Sequence, residues 1–314
     1  MTAAADLVNV GAGQVTVEVR RPMMGGVVSV MALDDMDAIR LERAALVVLD
    51  RIEAWAGRLT RFSPDSELMR LNAATASPVP IGPTLTAALD WARMAEGMSD
   101  GLVDASLLDE RLAAEAGLDP AIPVGAGRRW SLRRTARGAA VERGPGVRFD
   151  LGGVAKGWLT DRALAIAPGR SALVDGDGDV AVRVAPGDTW AVGIGDPREQ
   201  GTLLGALDLG ADGDVTRTWG IATSGTSVHR WAHAGGDAHH LIDPRTRRPV
   251  DTDVVQATVL AGSARVAEVL AKTAVIAGTD RAFGLLDRPG VHGALLLTRR
   301  GEIRATPGMV RWLQ

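Results

Sequence analysis

Hydrophobic positions alternate strictly in residues 14–21, QVTVEVRR, which puts Val15, Val17 and Val19 on one face; a period of two predicts a strand. GGVVSVMAL, opening at Gly25, predicts a second strand. The period then lengthens. From residue 36 to about 59, MDAIRLERAALVVLDRIEAWAGRL carries its apolar side chains at helical spacing. FSPDSELMRLN predicts a short capped helix, with Ser63 accepting from the first free amides and Pro64 in the first turn, where its missing N–H is harmless. Another helix is expected over residues 84–98, ending near Gly101. Beyond Arg128 the texture changes to short β-rich runs: RWSLRR, VRFDL, SALVDG, DVAVRV, TWAVGI and GALDL. Two later helices are expected in AKGWLTDRALAIA and SARVAEVLAKTAVIAG, with a strand, VVQATVL, before the second. Runs of strands separated by isolated helices predict an α+β fold, not a regular βαβ alternation. AAEAGLDPAIPVGAGRR is the expected surface connection between two lobes.

Composition narrows the function classes. The chain has 314 residues, 46% of them hydrophobic, which is enough for a substantial core. A net charge of -3, with charges spread along the chain, argues against a protein built to hold nucleic acid or an anionic membrane. There is no cysteine, so disulfides, thiolate catalysis and Cys-ligated metal are excluded. MTAAADLVNV lacks a basic start followed by an apolar run, and no later stretch is long enough to span a bilayer. The expectation is a soluble, cytoplasmic protein without a membrane segment.

Five stretches carry candidate chemistry. DLGGVAKG holds Lys156, one of only two lysines, at a junction from strand to helix. Its glycines let backbone approach a ligand, and the helix start favours anions. Asp150 could orient a hydroxyl or ring N–H or neutralise the lysine; the plain alternative is a turn with a surface lysine. VDGDGDVAV suggests calcium through Asp175, Asp177 and Asp179, but Val180 stands where the loop needs Gly and Pro186 where it needs Glu. It reads instead as a hairpin turn that can border a ligand. GIATSGTSVHRW places Thr223, Ser224 and Gly225 after a short apolar strand, as a phosphate-binding turn or a hairpin closure. In HHLIDPRTRRPV, Leu241 and Ile242 imply a strand, so that His240 shares a face with Ile242 and Asp243 opens a proline turn. Histidine suits a general base, or simply packs beside the turn. Glu268 and Lys272, four apart on an apolar helix, make an exposed salt bridge or face a cavity.

The order of these stretches matters more than any one of them. Met24-Gly25, Phe62-x-x-Asp65-Ser66-Glu67 with Asn72, Gly101-Leu-Val-Asp104, residues 150–157, Ala222-Thr-Ser-Gly225, His240-Leu-Ile-Asp243-Pro-Arg-Thr, and Ala267-Glu268 ahead of Gly278 form one succession. It resembles the bacterial FAD:protein FMN transferases, the ApbE-like family, over nearly the whole chain. The resemblance implies one domain over residues 1–314, α+β and T-fold-related, of two intimately joined lobes with antiparallel sheets and packed helices, and FAD between them. It implies Mg2+-dependent transfer of FMN from FAD to a Ser or Thr hydroxyl of an acceptor protein, with release of AMP. On this resemblance Met24, Phe62, Leu102, Val103, Asp104, Asp150, Lys156, Thr223, Ser224 and Leu241 line the FAD. His240 takes the hydroxyl proton, Asp243 shapes its loop, and the metal is held by the Gly153 carbonyl and Glu268.

The chain departs from the family's pattern at four places. Gly26 replaces Thr of Met-Gly-Thr, Phe62 replaces Tyr, and Arg247 replaces the Gly that ends Asp-Pro-x-Thr-Gly. The metal helix offers Glu268 and Lys272 where the family has Asp and Thr, with Thr273 one residue late. A charged lysine has no lone pair to give a metal. Either the Lys272 ammonium replaces the ion, anchored by Glu268, or Glu268 still holds Mg2+ with the Gly153 carbonyl. A non-catalytic FAD-binding protein and an FAD pyrophosphatase giving FMN and AMP are the alternative activities.

Overall fold

The computed structural model describes residues 5–7, 14–35, 37–118, 129–135, 138–227, 230–233 and 236–314. Residue 36 of the first expected helix and residues 119–128 of the expected connection lie outside them. The helices are α1 (Ala38–Leu59), α2 (Glu67–Ala73), α3 (Pro83–Met98), α4 (Leu108–Glu115), α5 (Ala155–Leu164), α6 (Ala264–Ala277), α7 (Thr279–Leu286) and α8 (Pro307–Val310).

An eight-stranded antiparallel sheet organises the chain. Across it the strands run Ile303–Ala305, Val291–Thr298, Val254–Ala261, Arg217–Gly225, Asp179–Val184, Ser171–Gly176, Gly26–Asp34 and Val15–Met23. Its central strands are buried along most of their length because both faces are covered. Against one face pack α1, α5 and α6, through clusters that include Leu49, Ile52, Ala163, Val174 and Ala264. Against the other lies a three-stranded sheet, Ala5–Leu7, Thr189–Gly195 and Leu203–Gly210, whose Trp190 packs in one cluster with Trp219, Leu173 and Val182. A further cluster joins α3, α5 and the small sheet Val79–Ile81, Trp130–Thr135 and Gly138–Arg143, around Phe149, Trp91 and Trp158. The fold is α+β, as expected.

Local chemistry explains the elements that frame the site. In α1, Asp37 caps the start by accepting from the Arg40 amide at 3.2 Å, and Leu41, Ala45, Val48, Leu49 and Ile52 supply the buried stripe. Met24 and Gly25, at φ +57 and +88, make the two-residue turn between the first long strands, a turn that needs both central residues left-handed. Asp177 and Gly178, at φ +68 and +95, do the same one hairpin over.

Four local expectations need correction. The cap of α2 is Ser66, accepting from the Met69 amide at 3.0 Å; Ser63 and Pro64 belong to the turn before it. VRFDL joins no sheet. Its amides and carbonyls go to Asn72, which clasps Phe149 on both sides, and to Ala105 and Leu108. Thr223, Ser224 and Gly225 lie inside the strand Arg217–Gly225, paired with Val254–Ala261, not in a turn. His240 lies outside the strand, which is only Ile242–Asp243, so the strand face expected for His240 and Ile242 does not form; Leu241 and Ile242 are both buried.

Candidate functional site

Four chain segments meet at the start of α5. The loop of residues 150–154 is tied by Asp150, whose Oδ1 accepts from the Gly152 amide at 2.8 Å. Lys156 follows in the first helical turn. Its Nζ donates to the Asp177 carbonyl at 3.2 Å and lies 3.4 Å from Asp179 Oδ2, so the α5 start grips the Asp177–Gly178 hairpin. The Met24–Gly25 hairpin closes on the same place. A β-carbon at Gly26 would fall on the Asp177 carboxylate, which explains glycine there: the small residue leaves the room that the acid takes.

The fourth segment is α6, which exchanges caps with α5. Gly157 permits the approach, since a β-carbon there would come within 2.5 Å of the Ala264 carbonyl oxygen. Asp161 of α5 accepts from the Ala264 and Arg265 amides that open α6, at 2.9 and 3.1 Å. Glu268 of α6 accepts in return, through Oε2, from the Gly157 amide at 3.0 Å. Each helix thus satisfies free first-turn amides of the other with a carboxylate. Glu268 Oε1 is buried and has no hydrogen-bond partner among the described residues. Lys272, one turn further, makes no ion pair with Glu268 within reach. Its ammonium lies against Gly153 instead; a β-carbon there would overlap Nζ and sit 3.4 Å from Cε.

Burial sets the electrostatics. It pushes Glu268 up to about 8, helped by the Asp179 carboxylate and opposed by Lys272 and Lys156. Burial also raises Asp179 and takes Asp175 up to about 6. Lys156 is raised by the Asp179 carboxylate, whereas burial lowers Lys272 against the pull of Glu268 and Asp179.

A polar chain connects this cluster to the histidine segment. Arg61 Nε lies 3.7 Å from Asp150 Oδ2, and its guanidinium holds Glu115, with Nη1 at 3.1 Å. Arg111 Nε donates to Glu115 at 2.7 Å, and its Nη1 donates to the His240 carbonyl at 2.7 Å. Burial works against the Glu115 charge, but the two arginines hold it below the usual carboxylate range. Of the two adjacent histidines, His239 is committed to backbone. The Leu241 amide donates to Nδ1 at 3.3 Å, leaving Nε2–H to donate to the Val250 carbonyl at 3.1 Å. His240 is half-buried. Asp243 is buried, paired with Arg245 and accepting from the Arg245 amide at 2.9 Å, so it shapes the turn after His240.

The remaining expected residues divide. Leu102 and Leu241 share a buried cluster with Ala222 and α6, and Val103 shares one with Leu151 and Val154, against which Met24 packs. Their side chains face the core, so what they can offer a ligand is backbone. Asp104 spends one oxygen on the Ser106 amide and hydroxyl, both at 2.7 Å. Thr223 Oγ1 is bonded to Thr258 at 2.9 Å, and Ser224 is half-buried. Phe62 is 81% exposed, with the Arg61 guanidinium 4.3 Å from its ring centre. Sequence reasoning missed Arg61, Arg111 and Glu115, none of which lies in a recognisable motif. Asp177 and Asp179 were visible only as parts of a hairpin that can border a ligand, without their contacts to Lys156 and Gly26.

These residues do not fit a divalent cation. Among the described residues no group of three or more His, Asp or Glu is placed to hold a metal ion. Glu268 has one oxygen committed to Gly157, and Thr273 turns back to the Val269 carbonyl at 2.8 Å. The Gly153 carbonyl belongs to a residue on which a β-carbon would overlap the Lys272 ammonium. At an effective dielectric of about 20, a divalent ion about 4 Å from an ammonium is repelled by roughly 8 kcal/mol.

A family model described as "ApbE family" matches residues 24–296. FAD:protein FMN transferase of Treponema pallidum is 32% identical over 179 residues, which span 52% of this chain and 48% of that protein. The protein of the same name in Rhodobacter capsulatus is 34% identical over 169 residues, 52% of this chain and 31% of its own. The chain therefore matches about half or less of the length of these curated relatives. The crystal structure of the ApbE protein of Thermotoga maritima superposes with a TM-score of 0.77 at 22% identity, covering 95% of this chain and 99% of that one. At that identity the likeness concerns the fold.

Proposed function

The chain belongs to the ApbE family, and from that we propose that it is an FAD:protein FMN transferase, moving FMN from FAD to a Ser or Thr hydroxyl of an acceptor protein. The hydroxyl oxygen forms a bond to the flavin-side phosphorus, the bond to the bridging oxygen breaks, and AMP departs with that electron pair. The proton of the hydroxyl passes to a base. Such a transfer needs cationic compensation of the diphosphate and a base beside the incoming oxygen.

The observation that carries this reading is the convergence at the start of α5. Lys156, the glycine-framed loop of residues 150–154 and the Asp177–Gly178 hairpin meet there, linked by Arg61, Glu115 and Arg111 to the backbone of His240. Lys156 supplies a compact charge on a flexible stem, suited to a phosphate or ring carbonyl at a crowded turn. Of the histidine pair, His240 is the base, because both ring nitrogens of His239 are engaged with backbone. Asp243 and Arg111 fix the segment that carries it.

Incubation with FAD and a Ser- or Thr-bearing flavin-acceptor domain tests the proposal. Fluorescent acceptor that survives denaturing electrophoresis is expected. Free FMN with AMP would instead mean that water is the acceptor, and bound but unchanged FAD would mean a binding protein without turnover.

A further inference from the structure

We infer that Lys272 is a built-in cation: its ammonium does for the FAD diphosphate what a divalent metal would otherwise do, so that this chain binds FAD without metal. The inference rests on the flavin reading above and concerns the same site.

Three observations carry it. First, the Lys272 ammonium is at the wall in question, in the space that a β-carbon on Gly153 would take, one residue before the α5 cap at Val154. Second, it has no ion-pair or hydrogen-bond partner among the described residues. Its neighbour one turn back, Glu268, spends an oxygen on capping α5, and Asp179 is taken by Lys156. The amine is thus held in place with its hydrogen-bonding capacity left for a ligand. Third, the side chains of α6 leave a metal one carboxylate oxygen at most, Glu268 Oε1. Glu268 has a structural bond to Gly157, and Thr273 is turned into its own helix.

Burial is the largest effect on Lys272 and works against its charge, as does Lys156, while Glu268, Asp179 and Asp150 pull towards the ammonium. With two ammoniums at the start of a helix, the chemistry recognised is an anion of more than one charge, and a dinucleotide diphosphate meets that requirement. An ammonium tethered to α6 cannot be removed by a chelator, whereas a bound metal can.

The test is FAD affinity, read by quenching of flavin fluorescence, in excess EDTA and in millimolar MgCl2. For the wild-type protein the two dissociation constants should agree within about twofold. Lys272→Met, which keeps length and volume but not charge, should weaken binding in EDTA by about tenfold or more, as expected for loss of one charge-assisted contact. Circular dichroism checks that this variant is folded. Lys272→Thr should gain affinity on addition of Mg2+ if the ion can then enter the vacated place. Wild-type binding that tightens tenfold or more with Mg2+, with saturable stoichiometric uptake of Mg2+ by titration calorimetry, would overturn the inference and leave the flavin reading standing. Unchanged affinity in folded Lys272→Met would overturn it as well. Failure of the wild type to bind FAD in either buffer would end both.

Discussion

Arg247→Gly is the substitution whose cost the structure fixes best. Arg247 ends a turn whose amide returns to the Asp243 carbonyl at 2.7 Å, and its φ is +62, a conformation that side chains with a β-carbon disfavour. Glycine would relieve about 1–2 kcal/mol of that backbone cost. The side chain works in the opposite direction. Its guanidinium is buried against the carboxylate of Glu110 on α4, which is buried too. Removing one member of a buried pair costs about 3–5 kcal/mol, mainly because the other charge is stranded. The net expectation is a loss of roughly 1–4 kcal/mol. Adding Glu110→Gln removes the stranded charge, so the double variant should recover most of the loss, to within about 1 kcal/mol of wild type. Urea unfolding followed by tryptophan fluorescence measures all three proteins. If Arg247→Gly proves as stable as wild type, or the double variant no better than the single one, the buried pair is not what holds this turn.

The other expectations are more local. His240→Ala should abolish transfer while FAD affinity stays within about tenfold, because a base acts chiefly on the chemical step. Lost binding with an unaltered residual rate would make the residue structural. Gly26→Thr should weaken the protein by about 1–3 kcal/mol, since the new side chain meets the Asp177 carboxylate, and adding Asp177→Gly should restore it. Denaturant midpoints that simply add would refute that coupling. Asp175 is raised from 3.8 to about 6, so its contribution to stability is fully present below pH 3.8 and lost as pH rises through about 6. Asp175→Asn should therefore flatten the stability profile across that window by up to about 3 kcal/mol relative to wild type; parallel profiles would contradict the assignment.

What the chain discloses in advance follows the range of each interaction. The helical stripe of α1, the two alternating strands and the Asp177–Gly178 hairpin are set by neighbours a few residues apart, and these were legible. VRFDL read as a strand because alternation reports burial, not partners; its partners are the Asn72 side chain and a loop carbonyl. Thr223, Ser224 and Gly225 looked like a turn from composition, but a half-buried strand end accepts such residues when their hydroxyls can pair, as Thr223 does with Thr258. Within the site, Lys156 stood out because it is a rare residue between glycines. Its partner Asp179, and the cap that Glu268 gives Gly157, involve residues far apart in the chain that no local pattern marks. The spacing of Glu268 and Lys272 suggested that they pair with each other; the fold sends one to α5 and the other to Gly153.

Phosphorus NMR of FAD incubated with the protein and an acceptor domain tests the central assignment most directly. The two diphosphate resonances should disappear together, replaced one for one by AMP and by a phosphodiester that travels with the acceptor. A diphosphate that persists beside active acceptor, or phosphorus that ends as free FMN, would contradict it.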